Sequence, residues 1–158
     1  MIPPRAKVPG WPGAHRLPQI GFGTWRLDGR ACEEGVADAL AAGYRHIDTA
    51  AMYDNEAEVG RGLRASGVDR SEVWLTTKLW TDALEPQPLR ASLERSLRRL
   101  ELDHVDLLLI HWPNRDVPLE RTLTAMTELR DEGRTREIGV SNFPSGCSPE
   151  RSTSRRWW

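Results

Sequence analysis

Cysteine is nearly missing: Cys32 and Cys147 are the only two in 158 residues, with no CxxC and no metal-ligating neighbours. That excludes a disulfide-stapled scaffold and a thiolate zinc site. Two thiols without a framework fit a reducing compartment, so the expectation is a cytoplasmic protein. No His, Cys, Asp and Glu cluster has metal-ligand spacing, and no metal is expected. An excess of one charge is missing too: 22 Lys and Arg face 23 Asp and Glu, for a formal net charge of -1. That balance argues against nucleic acid or an anionic membrane surface as partner. No apolar run approaches the roughly 20 residues of a membrane span. The start, Met1 to Gly13, is proline-rich rather than built like a signal peptide.

What is present is a repeating pattern. After an irregular arm rich in proline and glycine, short strand-like segments open at IGFGTW (from Ile20), HIDT (from His46), VWLTTKL (from Val73), VDLLLIH (from Val105) and EIGVSN (from Glu137). Helical signals lie between them. Val36 and Leu40 share a face, and Gly43 stops that helix. Asn55 and Glu58 have the spacing of a capping box, Val59 and Leu63 face inward, and Gly67 closes. Leu89, Leu93, Leu97 and Leu100 form a stripe behind Pro86 and Pro88, which suit a first helical turn. Pro118 opens a fourth helix with Leu119, Leu123 and Met126 inward, and Gly133 ends it. Five strands alternating with four helices predict an α/β fold with parallel strands and right-handed crossovers. A doubly wound sheet and part of a (β/α)8 barrel both satisfy the pattern. Gly21 and Gly23 lack the third glycine of a dinucleotide fingerprint.

The stretch GYRHIDTAAMYDNE, Gly43 to Glu56, carries the first chemistry. Asp48 stands where the second strand gives out, and Tyr53 follows five residues later. Lys78 sits near the end of the third strand, His111 ends the fourth, and Ser141 with Asn142 ends the fifth. For any one of these, a strand-end polar group reaching solvent is at least as economical a reading. Groups at the carboxyl ends of parallel strands, however, converge on one mouth of the sheet. Four in register, with Trp25, Trp80 and Trp112 also at strand ends, outweigh that plainer account. Lys78 lies between apolar residues where a lone ammonium would be costly to bury, and Asp48 is its natural partner. His15, His46 and His104 read as structural or solvated. The arginines Arg90, Arg95, Arg98 and Arg99 read as the outer face of a helix.

GYRHIDTAAMYDNE, TTKLW, VDLLLIHWP and REIGVSNF resemble, in order and spacing, the motifs of the aldo-keto reductases over residues 17–143. Within that family they are most similar to bacterial 2,5-diketo-gluconate and methylglyoxal reductases. The resemblance implies a (β/α)8 TIM barrel, the cofactor NADPH (NADP), and reduction of aldehydes and ketones, so that the partner is a small-molecule carbonyl substrate. It implies Tyr53 as proton donor, Lys78 held by Asp48 as the cation beside the phenol, and His111 as the group that orients the carbonyl oxygen. Ser141 and Asn142 match the pair that holds the nicotinamide carboxamide, with Asp48 beside it. Gly23 and Thr24 match the loop that approaches the cofactor, and Trp25, Trp80, His111 and Trp112 match the substrate pocket.

A full barrel takes about 250 residues, and the resemblance stops after five strands. The expectation is therefore one family domain over 1–143, truncated after the fifth strand, followed by a non-family tail over 144–158. The tail has no helical stripe. In a GC-rich gene, reading from Gly146 one base upstream permits an apolar helix and a strand, so a frameshifted tail is expected. A truncated barrel would self-associate non-specifically through its exposed sheet edges. The alternative to an active reductase is a catalytically inactive remnant of one.

Overall fold

The computed structural model of the chain describes residues 17–143. The N-terminal arm with His15, the tail 144–158 expected to be frameshifted, and Cys147 lie outside the described residues. The elements follow as β1 (Phe22–Gly23), α1 (Gly29–Ala41), β2 (His46–Asp48), α2 (Glu56–Ala65), β3 (Trp74–Leu79), α3 (Pro86–Leu100), β4 (Val105–Ile110), α4 (Leu119–Asp131) and β5 (Thr135–Val140). Every strand pair is parallel, and the sheet order is β1-β2-β3-β4-β5. A doubly wound sheet would reverse its winding at a switch point. Here each strand is added beside the last without reversal, which selects the barrel-type arrangement over the open sheet. The described fold is part of a (β/α)8 barrel.

The helices end as their sequences dictate. Gly43, Gly67 and Gly133 take positive φ after α1, α2 and α4, where a residue with a Cβ would be strained. Pro86 begins α3, where its missing N–H costs nothing. Alternation along the strands divides the sheet in two. Leu75, Leu79, Leu108 and Ile110 join Leu40, Val59, Leu63, Leu89, Leu93, Leu97, Met126 and Leu129 in one core between sheet and helices. The opposite parity, Asp48 on β2 and Lys78 on β3, is left for the other face. Cys32 is fully buried in that core, and burial pushes its thiol up to about 11, so it is an inert apolar group.

Some expectations needed correction. The first strand shrinks from Ile20–Trp25 to two residues, and Ile20 is exposed. The fifth begins at Thr135, two residues before Glu137. Three 3-10 turns, Ala51–Tyr53, Arg70–Glu72 and Thr81–Ala83, were not foreseen, because three residues are too few to display a period. Asn55 does occupy the N-cap of α2, but its side chain makes no capping hydrogen bond. The expected capping box does not form; the amide is used elsewhere.

Candidate active site

Asp48 ends β2, and its neighbour β3 runs on past it, with Thr76 opposite Asp48 and Lys78 two residues higher. A four-carbon stem from Lys78 can therefore lean back over the shorter strand. Its ammonium uses all three protons: one to Asp48 Oδ1, one to Thr49 O at 2.9 Å, and one to Tyr53 Oη at 3.4 Å. Lys78 is only 6% exposed. An ammonium this deep is stable because it is paired and fully hydrogen-bonded; removing Asp48 from such a pair typically costs about 3–5 kcal/mol. Tyr53 reaches the same point from the 3-10 turn Ala51–Tyr53, which closes with Asp54 in the left-handed region at φ 55. An Asp tolerates that conformation better than most residues.

His111 follows β4, its backbone N–H donating to Leu79 O at 3.0 Å, so the imidazole is fixed by an extra rung of the sheet. Its ring stands edge-on to Tyr53, centroids 5.6 Å apart, and edge-on to Trp80 at 5.2 Å. Trp25 packs on the other partner, 4.7 Å from Tyr53. Two indole rings thus flank the phenol and imidazole. Burial, then the Lys78 charge, hold the His111 pKa below the usual 6.5, against the opposing pull of Asp48. The imidazole is neutral at pH 7. Its Nδ1 is buried with no partner among the described residues.

Asn142 lies beyond β5 in the left-handed region, φ 60. Its two amide protons go to His111 O at 2.8 Å and Ser141 Oγ at 3.1 Å. Both donors being committed, the Asn142 carbonyl oxygen and the Ser141 hydroxyl proton are what this pair offers a ligand. An acceptor beside a donor is complementary to a primary carboxamide. Gly23 and Thr24 lie at the end of β1; Thr24 is buried, and its N–H donates to Asp48 O at 3.0 Å. The Thr24 hydroxyl is turned inward, toward Asp48 O and Asn55 Oδ1, both at 3.4 Å. Trp112, about half exposed, stands outside the ring cluster that joins Trp25, Tyr53, His111 and Trp80.

The structure therefore gathers Asp48, Tyr53, Lys78, His111, Trp25 and Trp80, and ties Asn142 to His111 through one hydrogen bond. It leaves His46 out: that ring meets Thr76 Oγ1 at 3.0 Å. His104 pairs with Asp103 at 2.6 Å. Among the arginines of α3, Arg90 grips Glu132, the C-cap of α4, through two bonds, at 2.5 and 2.8 Å. Trp80 also walls a groove of about 230 Å³ with Met52, Asp82, Arg95 and Arg99. Carboxylates of Asp54 and Glu56 lie 3.8 and 3.6 Å from Arg99, so the charge of that arginine is already paired. Two contributors escaped the sequence reading, Asn55 and Thr49. Nothing in a polar run after Tyr53 marks Asn55 as 1% exposed. Among the described residues no group of His, Cys, Asp and Glu could hold a metal, and no helix is long and apolar enough to cross a membrane.

The sequence profile of the Aldo/keto reductase family matches residues 19–147. An aldo-keto reductase of Mycobacterium sp. (strain KMS) is 49% identical over 131 residues, covering 80% of this chain and 46% of the relative. Methylglyoxal reductase DkgB of Escherichia coli O157:H7 is 49% identical over 129 residues, covering 80% and 48%. The crystal structure of an aldo/keto reductase from Brucella melitensis superposes with a TM-score of 0.83 at 40% identity, covering 91% of this chain and 54% of that one. The chain spans about half the length of the relatives it matches.

Proposed function

The chain belongs to the aldo/keto reductase family, and from that premise we propose that it reduces aldehydes and ketones to alcohols with NADPH, Tyr53 giving the proton. The observation that carries this reading is the Lys78 ammonium, shared among Asp48, Thr49 O and Tyr53 Oη at the mouth of the sheet. When bound, a reduced nicotinamide supplies the hydride that the carbonyl carbon takes up. The donor set fits such a group, since Ser141 and Asn142 present a hydroxyl proton beside an amide oxygen.

The rest is done by the chain. As negative charge gathers on the carbonyl oxygen, the Tyr53 hydroxyl gives it a proton and becomes phenolate. The Lys78 cation beside it stabilises that phenolate, and Asp48 keeps the cation in place. General acid catalysis of this type is worth on the order of 10²–10⁴-fold. His111, neutral, supplies a second hydrogen bond. An unpartnered nitrogen lone pair costs less than an unpartnered N–H in a buried site. The buried Nδ1 is therefore best left bare, with the proton on Nε2, which makes the ring a donor to the carbonyl oxygen. Trp25 and Trp80 give the cluster two aromatic walls, which favour small apolar carbonyl compounds.

Titration of the purified chain with NADPH, followed by nicotinamide fluorescence, tests the first half: saturable binding is expected. Tyr53→Phe tests the second. It should lower turnover of a short aldehyde by at least about 10²-fold and leave cofactor affinity within about twofold. Loss of binding in that variant would assign Tyr53 a different role. A wild-type chain that neither binds NADPH nor turns over would be the catalytically inactive relative.

A further inference from the structure

Asn55 is 1% exposed, and every hydrogen-bonding position of its side chain is filled. Nδ2 donates to Thr24 O and to Leu27 O, both at 2.8 Å. Oδ1 accepts from Thr49 Oγ1 at 3.0 Å and, more loosely, from Thr24 Oγ1 at 3.4 Å. A helix N-cap needs none of this, and Asn55 makes no side-chain capping bond to α2. The two carbonyls it holds bracket a tight turn. Leu27 N donates back to Thr24 O at 3.1 Å, and Arg26 between them is in the left-handed region at φ 64. Trp25 is carried on that turn. A backbone conformation disfavoured for a long side chain persists only where its surroundings over-determine it, and here the Asn55 amide is the determinant.

Each of the three bonds of 3.0 Å or less leads to the reacting cluster. Through Thr24 and Leu27 the amide sets the turn that lays Trp25 against the Tyr53 ring, 4.7 Å away. Through Thr49 it fixes the residue whose backbone carbonyl accepts from Lys78 Nζ at 2.9 Å. Along its own chain it lies two residues from Tyr53, across the left-handed Asp54. We infer that Asn55 is a positioning residue: one buried amide sets the mutual placement of Trp25, Tyr53 and Lys78, which belong to three separate segments of the chain. This rests on the proposed reductase reading for its consequence in catalysis, but not for its structural content. Displacing a reacting group by about an ångström can cost on the order of 10²-fold in rate.

The test compares Asn55→Ala with Thr49→Val, a milder change that removes only one hydroxyl donor from the network and keeps the backbone carbonyl for Lys78. Near-ultraviolet circular dichroism reads the Trp25 and Tyr53 ring pair directly, as the difference between each protein and its Tyr53→Phe counterpart. Amide hydrogen exchange reads the Thr24–Leu27 turn against β3 and β4. In Asn55→Ala the ring-pair signal should collapse. Exchange of the turn should rise by about tenfold or more, with β3 and β4 amides unchanged below the unfolding range. Thr49→Val should move both readouts the same way by a smaller amount. Where the wild type turns over, kcat should fall by about 10- to 100-fold in Asn55→Ala, with KM for the aldehyde within about threefold. An unchanged ring-pair signal and turn exchange in a folded variant, with only the melting temperature lowered, would overturn the proposal and leave Asn55 a plain stability residue. If Asn55→Ala does not fold, Thr49→Val decides on the same two readouts. A wild type without turnover would defeat the reductase reading alone, because dichroism and exchange need no activity.

Discussion

At Lys78 and His111 the same two charges act with opposite results. The ammonium is held by Asp48, yet it opposes protonation of the imidazole across the cluster, and burial opposes it more. His46 is shifted the same way, with burial again the largest cause. The consequence for stability has a definite sign. Between pH 6.5 and their lower folded-state pKa values the unfolded chain takes up protons on these histidines ahead of the folded chain, so stability falls as pH drops through that window. Above it both states are neutral and the effect vanishes. Titration of the His111 ring proton by NMR should give a midpoint below 6.5. In Lys78→Met the second-largest cause is gone and Asp48 still attracts the proton, so the midpoint should move up. A midpoint that stays put or falls would mean Lys78 does not face His111 as described.

Among the elements, α2 depends on glycines that no hydrophobic pattern discloses. A Cβ on Gly60 would lie 2.4 Å from Leu100 O, and one on Gly62 would lie 2.6 Å from Glu33 O. Both neighbours are backbone, so α1 and α3 approach α2 as closely as they do only because these positions are bare. Two effects compete in Gly60→Ala. Helix propensity favours alanine by about 1 kcal/mol, whereas forcing backbone apart in a packed region costs typically about 1–3 kcal/mol. The clash should win, and urea denaturation should show a net loss of stability. Gly35→Ala in α1 is the control, because its nearest neighbour is the Phe22 side chain at 3.3 Å, which can yield. There stability should stay level or rise slightly. Equal stabilities for Gly60→Ala and the wild type would refute the close approach.

The same scale shows where sequence was readable and where it was not. VDLLLIH and VWLTTKL are short, largely apolar runs bounded by turn signals, so β3 and β4 were legible to within a residue or two. Four helix ends were marked by Gly43, Gly67, Pro86 and Gly133, where local chemistry permits few substitutes. Asp48, Lys78 and His111 were legible because parallel strands bring their ends together whatever the crossovers do. The role of Asn55 was not. Its spacing to Glu58 is that of a cap, and only the tertiary fold brings Thr24 and Leu27, about thirty residues earlier, against it. Local pattern carries information about periods and ends; it carries none about which loop a buried amide will meet.

For the molecule as a whole, pairing between chains is governed by the sheet edges. Among the described residues β1 and β5 are each paired on one side only. β1 is two residues long, too short to template much pairing. β5 is six residues long, becomes more exposed toward its end, and finishes at Val140, 41% exposed. An unpaired strand of that length with an apolar end is a ready site for pairing with another chain, and a net charge of -1 offers little repulsion to prevent it. We expect the chain to self-associate through this edge, so that its sedimentation coefficient rises with concentration. Val140→Lys places a charge where a second strand would dock and should shift the material toward monomer while leaving the far-ultraviolet dichroism unchanged. Wild-type protein that sediments as a monomer at every concentration would show that edge to be covered in solution. Association untouched by Val140→Lys would place the contact on another face.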